Sequence, residues 1–228
     1  AIDLFGPCMA QMYGQAECPG RICLLSPADH LEALSAPDKE QRLTSCGRPP
    51  VFVRVEMMGD DGNLMAEGER GEIVVRGTLV SLGCYGDPEA SAANRAHGWH
   101  HTGDIGYKDA DGFVYIVDRK MDMIISGGLN VFPIEIERLI WSHPAVQDCA
   151  VIGVPDEKWG EAVKAIVELK SGESVAEAEI IALCKEGLSA YKTPKTVEFW
   201  DELPRSGVGK VLKRKVREQF WIGHDRKI

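Results

Sequence analysis

The sequence predicts an α+β protein with a strand-rich first half and a smaller mixed second half, and three observations predict it. Period-two alternation and Gly/Asp turns run up to Asp118, helical periodicity of the 3.6 type strengthens only beyond it, and the second part alternates helix and strand patterns. The boundary falls at about 118 to 122. With 228 residues, 44% of them hydrophobic, the chain can fill the core of one large or two ordinary domains.

The opening AIDLFGPCMAQMYG already runs into a strand and loop and does not start at Met, as expected of a piece of a longer protein. VFVRVEM, residues 51 to 57, sets Val51, Val53, Val55 and Met57 against Phe52, Arg54 and Glu56, the alternation of a half-buried strand. GDDGN at 59 to 63 is a turn, and EIVVRG at 72 to 77 a second strand. PEASAANRA opens a short helix at Pro88, and DADGFVYIVD turns at Asp111-Gly112 into another strand. Pro133 then opens a helix with Ile136, Leu139, Ile140 and His143 on one face, followed by strands at 146 to 153 and 162 to 169. Ser174 and Glu177 have capping-box spacing ahead of a helix carrying Ile181, Cys184 and Leu188 on one side. A strand at 195 to 200 precedes a closing helix that sets Leu212, Val216 and Phe220 opposite Lys213, Arg214 and Arg217.

Lys+Arg 26 against Asp+Glu 35 leaves a net charge of −9, which opposes nonspecific binding to nucleic acid or an anionic membrane surface. No stretch is apolar enough to span a bilayer with a helix, and the opening residues do not follow a basic-then-apolar pattern. Seven scattered cysteines, never spaced CxxC, point to buried, reduced thiols of a cytoplasmic protein rather than a disulfide framework or a zinc site.

The most lysine-specific stretch is PRSGVGKVLKR, residues 204 to 214. It is no P-loop: Lys210 is followed by Val211 rather than Ser or Thr, and Pro204 stands five before Gly209 where a glycine is needed. A nucleic-acid helix is disfavoured by the acidic balance and the lack of interleaved aromatics. A solvated loop is the plain alternative. Three more segments stand upstream in order: YGQAE (13 to 17), GWHHTGD (98 to 104) and DRKMDMIISGGLNVFPIEIE (118 to 137). Each has a plain reading: a turn at Tyr13-Gly14, an Asx turn at Asp104, a salt bridge of Arg119 with Asp118 or Asp122, and a simple turn at Gly127-Gly128. His100 and His101 are adjacent on an extended segment, point to opposite sides, and read as partly buried or loop histidines rather than shared metal ligands.

Together the four ordered segments resemble the signature motifs of the adenylate-forming superfamily, specifically its acyl-CoA synthetases, over essentially the whole chain. The resemblance implies that 1–118 is the C-terminal part of the large adenylation domain, a β-rich, barrel-like remnant, and that 119–228 is the small mobile C-terminal domain. It also implies Tyr13 against the adenine with Gly14 among the cofactor-binding residues, Glu17 as a catalytic Mg²⁺ ligand near the ATP phosphates, and Asp104 on the ribose hydroxyls. Carboxylate oxygen suits a hard cation, and an acceptor-only carboxylate suits a vicinal diol. Arg119 would reach ribose or phosphate with its forked donors, and Gly127 and Gly128 would flank the pantetheine arm of coenzyme A. Lys210 would enter the site on domain closure to stabilise charge shared by carboxylate and α-phosphate. Two departures stand out: Ala16 where the family usually has Thr, and Met121 at a hinge position usually Lys or Asp.

The implied reaction is ATP-dependent activation of a small carboxylic acid, fatty or related, followed by thioester formation with CoA. Adenylation domains that pass the acyl group to another acceptor share the first step. The family's phosphate loop and most of its acyl pocket lie upstream of YGQAE, so this chain alone is expected to be a catalytically inactive, nucleotide-binding fragment whose exposed apolar surface invites self-association.

Overall fold

The computed structural model describes residues 2–6 and 8–224 and divides into two compact units, Ala1–Lys120 and Met121–Ile228. Every hydrophobic cluster lies wholly inside one unit.

The first unit begins with a single helical turn, α1 (Ile2–Phe5), and an antiparallel hairpin of β1 (Gln11–Gln15) and β2 (Cys18–Leu25). Helix α2 (Pro27–Ser35) starts where Ser26 Oγ accepts from the Asp29 amide and the Asp29 carboxylate accepts from the Ser26 amide, a capping box with Pro27 in the first turn. After a 3₁₀ stretch over Pro37–Thr44 come β3 (Val53–Met58), β4 (Gly71–Gly77), α3 (Pro88–Ala93), β5 (His100–Lys108) and β6 (Val114–Arg119). The last four strands form one antiparallel sheet in the order β3-β4-β5-β6. Among the described residues it is open, with β3 and β6 as edges, as a strand-rich remnant rather than a closed barrel would be. Four strands cannot close around side chains, since a filled barrel takes roughly eight.

Val53, Val55 and Met57 of β3 are buried while Arg54 is exposed, as their alternation requires. Val51 and Phe52, assigned to this strand from sequence, instead form an exposed turn ahead of it. Strand β4 is buried on both faces: Ile73 and Val75 join the main core, and Val74 packs with Met58 and Trp99. The guanidinium groups of Arg54 and Arg76 lie 5.4 and 4.9 Å from the Trp99 ring centre.

The second unit contains the hairpin β7 (Ile124–Ser126) and β8 (Leu129–Val131), then α4 (Pro133–Trp141), β9 (Val146–Asp156), β10 (Gly160–Leu169), α5 (Glu177–Gly187), β11 (Thr196–Trp200) and α6 (Lys213–Glu218). Strand β10 runs antiparallel to β9 and parallel to β11, and meets β7 at Gly160. Alternate residues of β9 and β10 face two cores. Val151, Val163 and Val167 pack with Ile136, Ile140, Ile180 and Cys184 of α4 and α5; Ala150, Ile152 and Ile166 pack with Leu203 and Val216.

Three sequence expectations change here. Helix α4 ends at Trp141, so His143 lies beyond it. The capping box at Ser174 is absent: α5 starts from Ala176 with no side-chain cap, and the Glu177 carboxylate accepts from the Val197 amide at 2.7 Å. Arg217 is buried rather than solvated, because its guanidinium donates to the Met121 carbonyl (3.1 Å) and the Asp122 carboxylate (3.2 Å).

Candidate functional site

Strands β5 and β6 set Asp104 opposite Arg119, and β1 brings two more side chains to the same carboxylate. Asp104 Oδ1 accepts from Arg119 Nε at 2.8 Å. Its Oδ2 accepts from Tyr13 Oη at 2.5 Å and Gln15 Nε2 at 3.1 Å. The Asp104 amide donates to Thr102 Oγ1, which donates to the Ile73 carbonyl at 2.7 Å, so the carboxylate is fixed from behind. Asp104 is 4% exposed, whereas the Arg119 side chain is 58% exposed. A buried carboxylate thus meets a guanidinium that can still reach solvent-borne anions. Burial, and then the Asp104 charge, push the Tyr13 phenol far above its ordinary pKa, which keeps it a donor.

Beside this group lies a cleft of about 360 Å³ lined by Gly14, Glu17, Asn94, His100, Thr102 and Arg119, among others. Gly14 sits where the β1–β2 register shifts between Tyr13 and Gln15, a bulge that re-aims the two flanking side chains. Ala16 and Glu17 form the turn after β1. Burial holds His100 below the usual histidine range, against the opposing charge of Glu17. Larger hollows of about 580 Å³ beside Arg48 and Lys108 and about 730 Å³ beside Trp200 and Ile222 lack Tyr13, Asp104 and Arg119. Convergent polar groups define a site better than volume does.

The plain readings sort out as follows. Asp104 is mid-strand, not the start of an Asx turn. Arg119 pairs with Asp104 at 2.8 Å; the Asp118 carboxylate accepts from the Arg119 amide, and Asp122 pairs with Arg217. His100 and His101 lie on β5, not in a loop, and find separate partners: His100 meets Gln15 Oε1 at 3.4 Å and His101 meets Glu72 at 3.1 Å. Among the described residues no group of three or more His, Cys, Asp or Glu side chains could hold a metal. All seven cysteines are free, with Cys8 and Cys84 exposed and the other five buried.

Gly127, Gly128 and Lys210 belong to the second unit. Gly127 and Gly128 form the β7–β8 turn with φ of +58° and +79°. The Gly127 amide donates to the Trp159 carbonyl at 2.8 Å, and a Cβ there would lie 2.6 Å from the Trp159 ring, so this glycine serves a close packing contact. A Cβ on Gly128 would meet open space. Lys210 stands on an exposed turn: its amide donates to Ser206 Oγ and its carbonyl accepts from the Ser206 amide, with Gly209 at φ +83°. The structure therefore brings Tyr13, Asp104 and Arg119 into contact, with Gly14 and Glu17 beside them. Sequence reading missed Gln15 and Thr102; Gln15 was findable, being two residues from Tyr13 on one strand face.

The chain matches the AMP-binding enzyme family over residues 2–85 and the AMP-binding enzyme C-terminal domain over residues 135–210. It is 45% identical over 235 residues to the medium/long-chain-fatty-acid–CoA ligase FadD8 of Mycobacterium tuberculosis, covering 100% of this chain and 40% of that protein. Solved structures agree. The o-succinylbenzoate CoA synthetase of Bacillus subtilis, bound to its acyl-adenylate, aligns with TM-score 0.80 and 36% identity over 91% of this chain and 40% of its own. The amide bond synthetase McbA of Marinactinospora thermotolerans aligns with TM-score 0.80 and 36% identity over 96% and 43%. This chain belongs to the AMP-binding enzymes of the adenylate-forming superfamily. It spans about 40% of the length of the curated relatives it matches.

Proposed function

We propose that this chain is the C-terminal part of an AMP-forming carboxylate–CoA ligase acting on a fatty or related acid in the cytoplasm. Residues 1–118 form the end of the large adenylation domain, and 119–228 the small mobile domain. The single observation that carries the reading is the meeting of Tyr13, Gln15 and Arg119 on the buried carboxylate of Asp104 beside an open polar cleft. Three of its roughly four acceptor positions are engaged in the free protein. A ribose diol would take the fourth and replace a donor now supplied by Tyr13 or Gln15. Tyr13 and Gly14 would lie along the adenine, and Arg119 would turn to the ribose or phosphate.

In the first half-reaction a carboxylate oxygen attacks the α-phosphorus of ATP and pyrophosphate leaves. In the second, the CoA sulfur attacks the acyl carbon and AMP leaves. Lys210 would stabilise the charge shared by carboxylate and α-phosphate, and an ammonium on an exposed glycine-flanked turn suits insertion. Mg²⁺ commonly uses one or two protein carboxylates and completes its shell with phosphate and water. A lone Glu17 at the cleft fits that pattern, and Mg²⁺ there would neutralise ATP phosphate charge. Gly128, open above its turn, leaves room for a pantetheine arm.

A second reading has its own support: the amide bond synthetase aligned as well as the CoA synthetase does, so an acceptor other than CoA fits the same adenylation chemistry. The test of the nucleotide reading is AMP titration by calorimetry. Asp104→Asn keeps the size but gives up one acceptor and the charge, and should weaken AMP binding about tenfold or more. Equal affinity in the variant would sink the ribose assignment.

A further inference from the structure

We propose that Glu72 is a positioning residue for the Asp104–Arg119 pair, acting from behind the cleft; the inference rests on the ribose reading of Asp104. Glu72 is 7% exposed on β4, at the point where the β4–β5 register shifts. Its Oε1 accepts from the Gly103 amide at 3.1 Å. Its Oε2 accepts from Lys120 Nζ at 3.0 Å and faces His101 Nδ1 at 3.1 Å. Gly103 and Lys120 are the chain neighbours of Asp104 and Arg119, which stand opposite each other on β5 and β6. One buried carboxylate therefore grips both strands one residue from the pair that meets the nucleotide.

The surroundings fit a clamp. Gly103 has φ +72°, a conformation that favours glycine and that turns its amide toward Glu72. Lys120 is held a second time by Asp60 at 2.8 Å. A buried carboxylate with two charge-bearing or backbone donors is worth keeping only while all remain in place, since losing one leaves a desolvated group unpaired. Replacing Glu72 frees the Gly103 amide and leaves the Lys120 ammonium tied only to Asp60, so the two strands lose their shared anchor. Asp104 and Arg119 then lose the fixed spacing that presets them for a vicinal diol.

The test compares AMP with 2′,3′-dideoxy-AMP, which lacks the diol, by calorimetric titration of the wild-type chain, Glu72→Gln and Lys120→Met. The expected result is that the wild type prefers AMP, that each variant weakens AMP binding roughly tenfold, and that dideoxy-AMP affinity stays unchanged, so discrimination is lost. A purely structural role would weaken both nucleotides alike, and that outcome, or unaltered discrimination, overturns the inference. Lys120→Met cuts the same clamp at a partly exposed residue and serves if Glu72→Gln fails to fold. If the wild type itself shows no preference, the ribose reading falls instead. The clamp is then judged by NMR on the Arg119 Nε–H resonance, whose hydrogen bond ends on Asp104: a shift in Glu72→Gln upholds the positioning, and an unmoved resonance overturns it.

Discussion

A residue's role in this chain follows from which of its polar atoms remain open. Asp104 has nearly all its acceptor capacity engaged inside the protein, so it is preset rather than loosely available. Gly127 is fixed by packing instead: Gly127→Ala adds a methyl group against the Trp159 ring at positive φ and should cost about 2 kcal/mol in urea unfolding, while Gly128→Ala, with open space around it, should cost about 1. Acid behaviour also belongs at this scale. Burial pushes Glu72 up, but hydrogen bonds from His101 and Lys120 and the Lys120 charge outweigh it, leaving the carboxyl below its ordinary value of 4.5. A depressed carboxylate adds stability above its unfolded-state pKa and loses it as pH falls through the folded-state value. Denaturant titrations should therefore find stability falling below about pH 4.5, with a shallower fall in Glu72→Gln. The types of residue at this site were legible from three of the four ordered motifs. Their mutual contacts were not, because Tyr13 and Asp104 meet across 91 residues of chain.

Elements here are placed by buried polar anchors as much as by apolar faces. Helix α6 is only six residues long, and Val216 is its one fully buried hydrophobe. Lys213 holds it at one end by pairing with Glu137 of α4 at 2.8 Å, and Glu137, 2% exposed, also accepts from the Val151 amide. Lys213→Met removes this ion pair from a buried carboxylate, and should cost about 3 kcal/mol by chemical denaturation. Strand β3 and helices α3, α4 and α5 were readable from period and punctuation, with shifts of a few residues at the ends. Helix α2 and the β1–β2 hairpin were not assigned, although Ser26 and Asp29 carry a capping signal. Arg217 was misread for a physical reason: helical period alone puts a basic residue on the solvent face, and only a carbonyl and a carboxylate brought from residues 121 and 122 make burial favourable.

At the scale of the whole molecule, each unit has cores of its own. Residues 121–228 expressed alone are expected to keep a cooperative thermal transition and dispersed amide NMR signals, because all residues of their two hydrophobic clusters lie within that span. A non-cooperative melt would place part of that stability in the first unit. Purified, the 228-residue chain is expected to bind AMP yet form no thioester from ATP, CoA and a fatty acid. Exposed Leu4, Val51, Leu82 and Tyr85 should also make its light-scattering mass rise with concentration.

By itself the sequence determined the protein family and the strand-rich and mixed halves, because motif chemistry and hydrophobic period are local properties of the chain. Only the tertiary structure decided that the first-half sheet stays open, that Arg119 answers to Asp104, that Gly127 accommodates Trp159 and that Glu72 stands behind the cleft. Those are pairings between residues far apart in sequence. Their energy comes from burial and from satisfying buried polar atoms, which no window of sequence contains.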